Sequence, residues 1–259
     1  ALDRRRPRDT WTMFLVDSRS EGFSVPRVED KMGMRANPAA ELCLDEVFVP
    51  ESHMLSDRIG DGIEATEIIL AASRGPVGAI ANGIARGALE RCLDWATNSG
   101  NGDGPIENPA VRDGIASCFE LVGASRAAWL SAALAFDRLG FGALTDGRLA
   151  ALHALPGAEI ATRYISRSSA RRQFLGRLLN GLRAGHINDS VLTASSLAKT
   201  TCSDNAMTVI SRLMDLMGPD ALDPTWGMEK AWRDARLTQI YEGTNQINRL
   251  CLYNKGVTQ

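Results

Sequence analysis

The sequence predicts an α+β chain, with part of a β-domain over residues 1–57 followed by an all-α, up-and-down helical bundle over 58–259. Two observations carry this. Between residues 10 and 57 the apolar residues alternate in short runs rich in β-formers. From Asp61 onward they recur at the 3.6-residue helical spacing over long stretches. A chain of 259 residues is long enough for one large or two smaller domains and a sizeable core.

Trp11–Val16 is a short apolar run, residues 22–28 (GFSVPRV) alternate, and Glu41–Val49 alternate again until Pro50 ends them. Three strands cannot bury both their faces, so partners for them must come from elsewhere. Ile63–Ala96 follows as a long helical stretch in which Gly75, Gly78, Gly83 and Gly87 permit close helix approach. Pro76 should bend or begin a helix there, which makes Ser73–Pro76 a segment boundary. Asn98–Asn108 is a turn cluster, and Pro109–Leu139 is a helix with a small-residue face of Ala124, Ala127, Ala128, Ala132 and Ala133. Residues 140–155 are ambiguous, and Ile160–Leu182 is basic. Asp189–Met217 is another long helix that Asp189 or Ser190 could cap. A loop over Gly218–Trp226 leads to a helix over Met228–Ile240.

Composition narrows the function classes. A net charge of −2 gives no electrostatic case for nucleic acid or a membrane surface. Arg4–Arg6 reads as a solvated run. No apolar run approaches the roughly 20 residues of a membrane span, and the charged start has no signal-peptide core. The five cysteines (Cys43, Cys92, Cys118, Cys202, Cys251) are odd in number, scattered and set in apolar patterns. They read as buried free thiols in a reducing compartment, the cytoplasm. No Cys or His spacing suits zinc, since His53, His153 and His186 lie far apart.

The chemistry concentrates near the end of the chain. Gly243 allows a sharp turn after Glu242, Thr244 can cap the following helix, and Ile247, Leu250 and Cys251 share one apolar face of it. Glu242 thus sits on a turn between two helices. A partly desolvated carboxylate there could serve as a general base near neutral pH, but an isolated Glu-Gly-Thr reads first as a solvated turn acid.

The longer word decides between those readings. Arg-Asp-Ala-Arg (233–236) followed by Gln-Ile-Tyr-Glu-Gly-Thr-Asn-Gln-Ile (239–247) resembles the C-terminal signature of the acyl-CoA dehydrogenases. Phe14–Val16, Gly22–Val25, Lys31–Asn37 and Leu44–Pro50 look like the back half of that family's middle β-domain, with Asn37 where Ser is frequent. The resemblance implies that Glu242 takes the α-proton of an acyl-CoA thioester while a hydride leaves the β-carbon for FAD. It places Arg74, Tyr241 and Gly243 beside the thioester substrate, and Thr244 and Gln246 against the cofactor. Ser73 stands about where another branch of the family carries its base.

Departures from the family pattern accompany the match. The N-terminal helical domain and the first half of the β-domain are outside this sequence, which covers about two-thirds of the family pattern by this reading. At the FAD pyrophosphate, which the family's element holds across the subunit interface, its Arg and Phe fall near Asn98 and Asn101. The family's Gln becomes Asp215, and of the glycines that follow only Gly218 remains, Pro219 and Ala221 replacing others. An apparent extra segment near 140–185 holds Arg171–Gly176 (RRQFLG), which mimics the missing Arg-x-x-Phe-Gly.

The expected function is therefore FAD-dependent α,β-dehydrogenation of an acyl-CoA, or of an acyl-carrier thioester. The alternatives are a non-catalytic, flavin-poor subunit of a heteromer, or a related thioester oxidase or reductase. The resemblance further implies a homo-tetramer, or a heteromer whose second chain supplies the missing half, and an electron-transfer flavoprotein as acceptor.

Overall fold

The computed structural model describes residues 11–55, 59–60, 62–99, 104–139 and 189–257. The Ile160–Leu182 basic stretch and the Arg171–Gly176 mimic lie outside them. The elements are β1 (Phe23–Val28), β2 (Ala40–Leu44), α1 (Gly62–Asn98), α2 (Pro109–Leu139), α3 (Asp189–Met217), α4 (Met228–Thr238) and α5 (Asn245–Leu252), with short 3₁₀ turns between some of them. The chain divides into two compact units. One draws on Ala1–Val28, Ala40–Leu70 and Ala135–Val191; the other on Glu29–Ala39, Ala71–Leu134 and Leu192–Gln259.

In the first unit β1 and β2 pair antiparallel, with Phe23 opposite Leu44 and Val28 opposite Ala40. The register slips between Ser24 and Arg27, where Pro26 sits. Proline has no N–H for the ladder, so a bulge at that point leaves no donor missing. The strand expected over 11–16 is reduced to one bridge, Phe14 to Met54. The strand expected over 41–50 stops at Leu44, because Glu46 takes a left-handed φ of 50° and turns the chain out of the ladder. Val25, Val28, Leu42 and Leu44 are exposed, as is Phe48 at 83%.

The second unit holds the core. Along α1 one buried stripe runs through 71, 74, 78, 81, 85, 88, 92 and 95 in alternating steps of three and four, flanked by buried Val77, Asn82, Leu89 and Ala96. Most are alanine, glycine or cysteine, so neighbouring helices can approach closely before Trp95 closes the far end. From α2, Cys118 and Val122 join this core; from α3, Val209, Ile210 and Leu213; from α4, Met228 and Ala231. Each large apolar side chain fully buried here contributes about 1.5–3 kcal/mol.

Side-chain bonds set the helix directions. Arg74 with Ser196, and Trp95 with Asp220 just past α3, make α1 and α3 parallel. Cys118 with Val209, and Asn205 with Ser125, make α2 antiparallel to α3. Trp232 with Ser211, and Gln239 with Asp204, make α4 antiparallel as well. Among the described helices the directions therefore alternate from α1 to α4.

Four local expectations need correction. Pro76 does not start a helix and Ser73–Pro76 is no segment boundary, because α1 runs unbroken through it. Ala72, whose carbonyl loses its partner, and Pro76 are both exposed, so water can satisfy that group. The alanine face of α2 splits: Ala132 is buried while Ala124, Ala127 and Ala133 face solvent, because the inward stripe runs through Val122 and Ser125. Met228–Ile240 is helical only to Thr238. Cys43 is exposed on β2 and Cys251 is intermediate, while Cys92, Cys118 and Cys202 are buried thiols as expected. Burial pushes Cys92 up to about 11 and Cys202 up to about 12, so both stay protonated near neutral pH.

One long-range contact positions α4. The loop Glu29–Ala39 docks its Gly33 on the backbone of Arg233, where an added Cβ would lie 2.2 Å from the Arg233 carbonyl oxygen. Arg233 donates to the Met32 carbonyl at 2.6 Å, and Asp234 accepts from the Met34 amide. Two of the family-like words, Lys31–Asn37 and Arg233–Arg236, are thus held against each other. Burial acts to raise the Asp234 carboxyl, but bonds from Lys230 and the Met34 amide hold it below its ordinary value.

Candidate active site at the Glu242 turn

After Thr238 the chain turns back on itself. The Tyr241 amide still reaches the Leu237 carbonyl, and the Asn245 amide closes the reversal on the Gln239 carbonyl at 3.0 Å. Glu242 and Gly243 between them take φ of 56° and 82°. Glycine adopts such a φ freely, whereas glutamate holds it only where the surroundings impose it. Thr244 caps α5, accepting the Ile247 amide at 3.4 Å, as expected.

The surroundings do impose it. Three successive carbonyl oxygens of the turn each receive a side-chain N–H from a helix. Arg74 Nε of α1 donates to Glu242 O at 3.3 Å. Lys199 Nζ of α3 donates to Gly243 O at 2.8 Å. Asn248 Nδ2 of α5 donates to Gly243 O at 2.8 Å and to Thr244 O at 3.0 Å. Arg74 is 3% exposed and also donates to Ser196 Oγ at 2.9 Å. It is no surface ion pair. Lys199 and Asn248 are fully buried.

The Glu242 carboxylate is half-buried and accepts a hydrogen bond from Ser73 Oγ at 2.7 Å. Ser73, no acid itself, thus stabilises the acid next to it. Burial pushes the Tyr241 phenol up, and the Glu242 charge adds to this. Burial likewise drives the Lys199 ammonium down to about 8, helped by the Arg74 charge and opposed by Asp204 and Glu242.

The apolar face expected on α5 points outward. Ile247 and Leu250 are 53% and 58% exposed, and the buried residues of α5 are Asn245 and Asn248. The reason is local: the turn's carbonyls and the Lys199 ammonium lie inward and need polar partners. Asn245 accepts from Lys199 at 2.7 Å and donates to Asp204 at 2.7 Å, and Asp204 also accepts from Gln239 at 2.6 Å.

The structure therefore brings Arg74, Tyr241, Glu242, Gly243 and Thr244 together, with Gln246 exposed on the first turn of α5. It does not bring Asn98, Asp215 and Gly218 to them. Asn98 is 24 residues beyond Arg74 on α1, roughly 36 Å along a helix. It lies at the end marked by the Trp95–Asp220 bond, near which Asp215 sits in the last turn of α3 and Gly218 turns with a φ of 57°. Asn98 is exposed and bonded to Asp94. A neutral amide beside one carboxylate, at a helix C-terminus, does not fit a pyrophosphate; the exposed Asp215 fits it no better.

Lys199, Asn248, Ser196 and Asp204 went unrecognised in the sequence. Lys199 left one signal: it falls on the inward stripe of α3, among Leu192, Ser195, Ser196, Cys202, Ala206 and Val209, where a charge is out of pattern.

Comparison with known proteins shows a family likeness over nearly the whole chain. Residues 158–255 match the family model "Acyl-CoA dehydrogenase, C-terminal domain", a match that begins inside the stretch read as an insertion. A cyclohexane-1-carbonyl-CoA dehydrogenase of Geobacter metallireducens is 26% identical over 95% of this chain and 52% of its own length. An acyl-CoA dehydrogenase of Bacillus subtilis is 28% identical over 92% of this chain and 50% of its own. The solved butyryl-CoA dehydrogenase of Megasphaera elsdenii has the same fold, with a TM-score of 0.73 over 99% of this chain and 54% of that one, at 22% identity. The fold is an acyl-CoA dehydrogenase-like helical bundle. The chain is similar to acyl-CoA dehydrogenases, and over residues 158–255 to their C-terminal domain. It spans about half the length of the curated relatives it matches, less than the two-thirds read from the sequence.

Proposed function

We propose that this chain forms the C-terminal part of an acyl-CoA dehydrogenase-type oxidoreductase, with Glu242 as the base that takes the α-proton of an acyl thioester. The single observation that carries the reading is the Glu242 turn: a non-glycine residue held at a positive φ by buried donors from three helices, its carboxylate oriented by a hydrogen bond from Ser73. A base needs a fixed direction and a free lone pair, and this arrangement provides both. Tyr241 and Gly243 flank the carboxylate on the substrate side of this reading, and Arg74 serves it through the turn's backbone.

FAD is the cofactor this reading implies, and when bound it accepts the hydride that leaves the β-carbon. Thr244 and Gln246 suit hydroxyl and amide contacts to it, whereas Asn98, Asp215 and Gly218 do not make a pyrophosphate site. The pyrophosphate contacts and the partners of the exposed strands are assigned to chain outside this sequence or to another subunit. This reading keeps the division near residues 57 and 58, a tetrameric or heteromeric assembly, and an electron-transfer flavoprotein as acceptor. Among the described residues no helix is long and apolar enough to cross a membrane.

The test is turnover by the assembled protein of butyryl-CoA, cyclohexane-1-carbonyl-CoA and longer straight-chain thioesters, followed by bleaching of the flavin band. Wild type should bleach with at least one of them, and Glu242→Gln with none. Undiminished bleaching in Glu242→Gln would refute the assignment. A second reading, a flavin-poor partner subunit, is favoured by Asn98 beside Asp94 and by the exposed Asp215. It requires fewer flavins than chains in the assembly.

A further inference from the structure

We infer that Lys199 is a positioning residue for the Glu242 turn, acting through the Gly243 carbonyl and the Asn245 side chain; the catalytic part of this inference rests on the reading above.

A fully buried lysine in the middle of a helix needs a reason. Removing an ammonium from water is costly, and an unbranched apolar residue of similar size would fill the same space without that cost. Stability of the core therefore does not account for it. The Lys199 bonds do. Both end on the turn and its helix, Gly243 O at 2.8 Å and Asn245 Oδ1 at 2.7 Å. Neither partner is a carboxylate, so the lysine is not placed as half of an ion pair. It is placed as a donor to neutral oxygens.

Those oxygens sit where the backbone is strained. Glu242 is a glutamate at a φ of 56°, and Gly243 follows at 82°. A turn of this kind relaxes unless its peptide planes are pinned. Arg74 pins the first plane, Asn248 the third, and Lys199 shares the second with Asn248. Of these, Lys199 is the donor from α3. It couples the turn to the most buried helix of the core and leaves the Glu242 carboxylate to Ser73.

The charged groups that bear on it come from every neighbouring element. Arg74 of α1 and Arg249 of α5 repel the ammonium; Asp204 of α3 and Glu242 itself attract it. Asp204 spends its hydrogen bonds on Gln239, Asn245 and Arg249, and acts on Lys199 as a nearby charge. The direct anchor remains the pair of neutral oxygens.

The test compares wild type with Lys199→Met in the assembled protein. Amide hydrogen exchange in the segment 239–249 should rise by about tenfold or more, as expected when a charged donor is removed from a buried acceptor, while the α1 segment 81–96 keeps its protection. On the thioester that bleaches wild type, kcat should fall by about tenfold or more with KM within about threefold, since loss of aim acts on the transition state. Lys199→Gln, which keeps a buried donor, should fall between the two. It is read in the same way if Lys199→Met does not fold. Unchanged exchange at 239–249, or a rise equal to that in 81–96, overturns the inference. Because exchange needs no turnover, local loosening combined with a fully active Glu242→Gln variant would refute the base assignment and leave Lys199 as the keeper of the turn.

Discussion

The two ends of the bundle have been treated differently. At the Glu242 end, buried donors from α1, α3 and α5 converge on three successive carbonyls, and the one carboxylate among them has its own hydroxyl partner. At the far end, near the Trp95–Asp220 bond, Asn98 and Asp215 lie exposed, and the polar group that touches Asn98 is the acidic Asp94. Burial at the first end makes each polar group costly to leave unpaired, so its geometry is over-determined. Exposure at the second lets water satisfy anything, so its residues can change at little cost to the fold. The difference separates two demands. A base must be aimed by this chain's own core. A cofactor phosphate can be held by residues from elsewhere.

The largest effect should come from the acid itself. Glu242→Gln keeps the volume and can still accept from Ser73, so the fold should survive while turnover falls by about 10²–10⁴-fold, the usual worth of a general base. Asp215→Asn at the other end should leave turnover within about twofold, as surface changes away from a site do. Equal losses in both variants, measured by flavin bleaching, would erase the contrast between the ends.

Next in size is the pH dependence that Lys199 brings. Its ammonium is pushed from 10.5 down to about 8 in the folded protein. Below about 8 the lysine is charged in both folded and unfolded chains, and its burial penalty is present in full. Between about 8 and 10.5 the folded protein releases the proton first and the unfolded chain holds more protons, so stability rises with pH. The rise is of the order of a few kcal/mol at most, from about 1.4 kcal/mol per unit. It should show as a higher urea midpoint at pH 10 than at pH 7.5 in wild type, relative to the same pair in Lys199→Met. That subtraction removes the thiols and phenols that titrate in the same range.

Gly33→Ala should cost about 1–3 kcal/mol, because its methyl would fall on the Arg233 carbonyl and the loop must move. The loss should appear in thermal unfolding and in faster exchange of α4. Unchanged melting would show that the loop does not brace the helix leading into the turn.

Much of this architecture was legible in the sequence because it rests on period and punctuation. The bounds of α2 and α3 follow from 3.6-residue patterning between turn residues, and Thr244 announces its cap. Three things were hidden. Pro76 reads as a boundary, but its exposure makes the missing hydrogen bond tolerable, and exposure is a tertiary property. Ile247 and Leu250 read as a core face, yet Asn245 and Asn248 are the buried ones, because the partners they serve lie on other helices. Lys199 is a surface residue by composition and a buried donor only once α3 meets the turn. Sequence pattern reports which residues share a face; it does not report what that face will meet.

The smallest effect on the fold should follow from rebuilding the far end. Asn98→Arg with Asp215→Gln places a guanidinium and an amide where Asn98 and Asp215 now stand, both on exposed positions. Stability should change by no more than about 0.5 kcal/mol, since neither side chain supports the core. Exchange at 239–249 should not change at all. FAD affinity, read by equilibrium dialysis of the assembled protein, is the informative quantity. A charge-assisted bond to a phosphate contributes about 1.5–3 kcal/mol, so a bundle end that still faces a bound cofactor should gain at least about tenfold in affinity. An unchanged affinity would mean that the pyrophosphate is held by other chain altogether. The exposed Asn98 and Asp215 would then mark a surface released from cofactor binding, while the buried turn at the opposite end kept its aim.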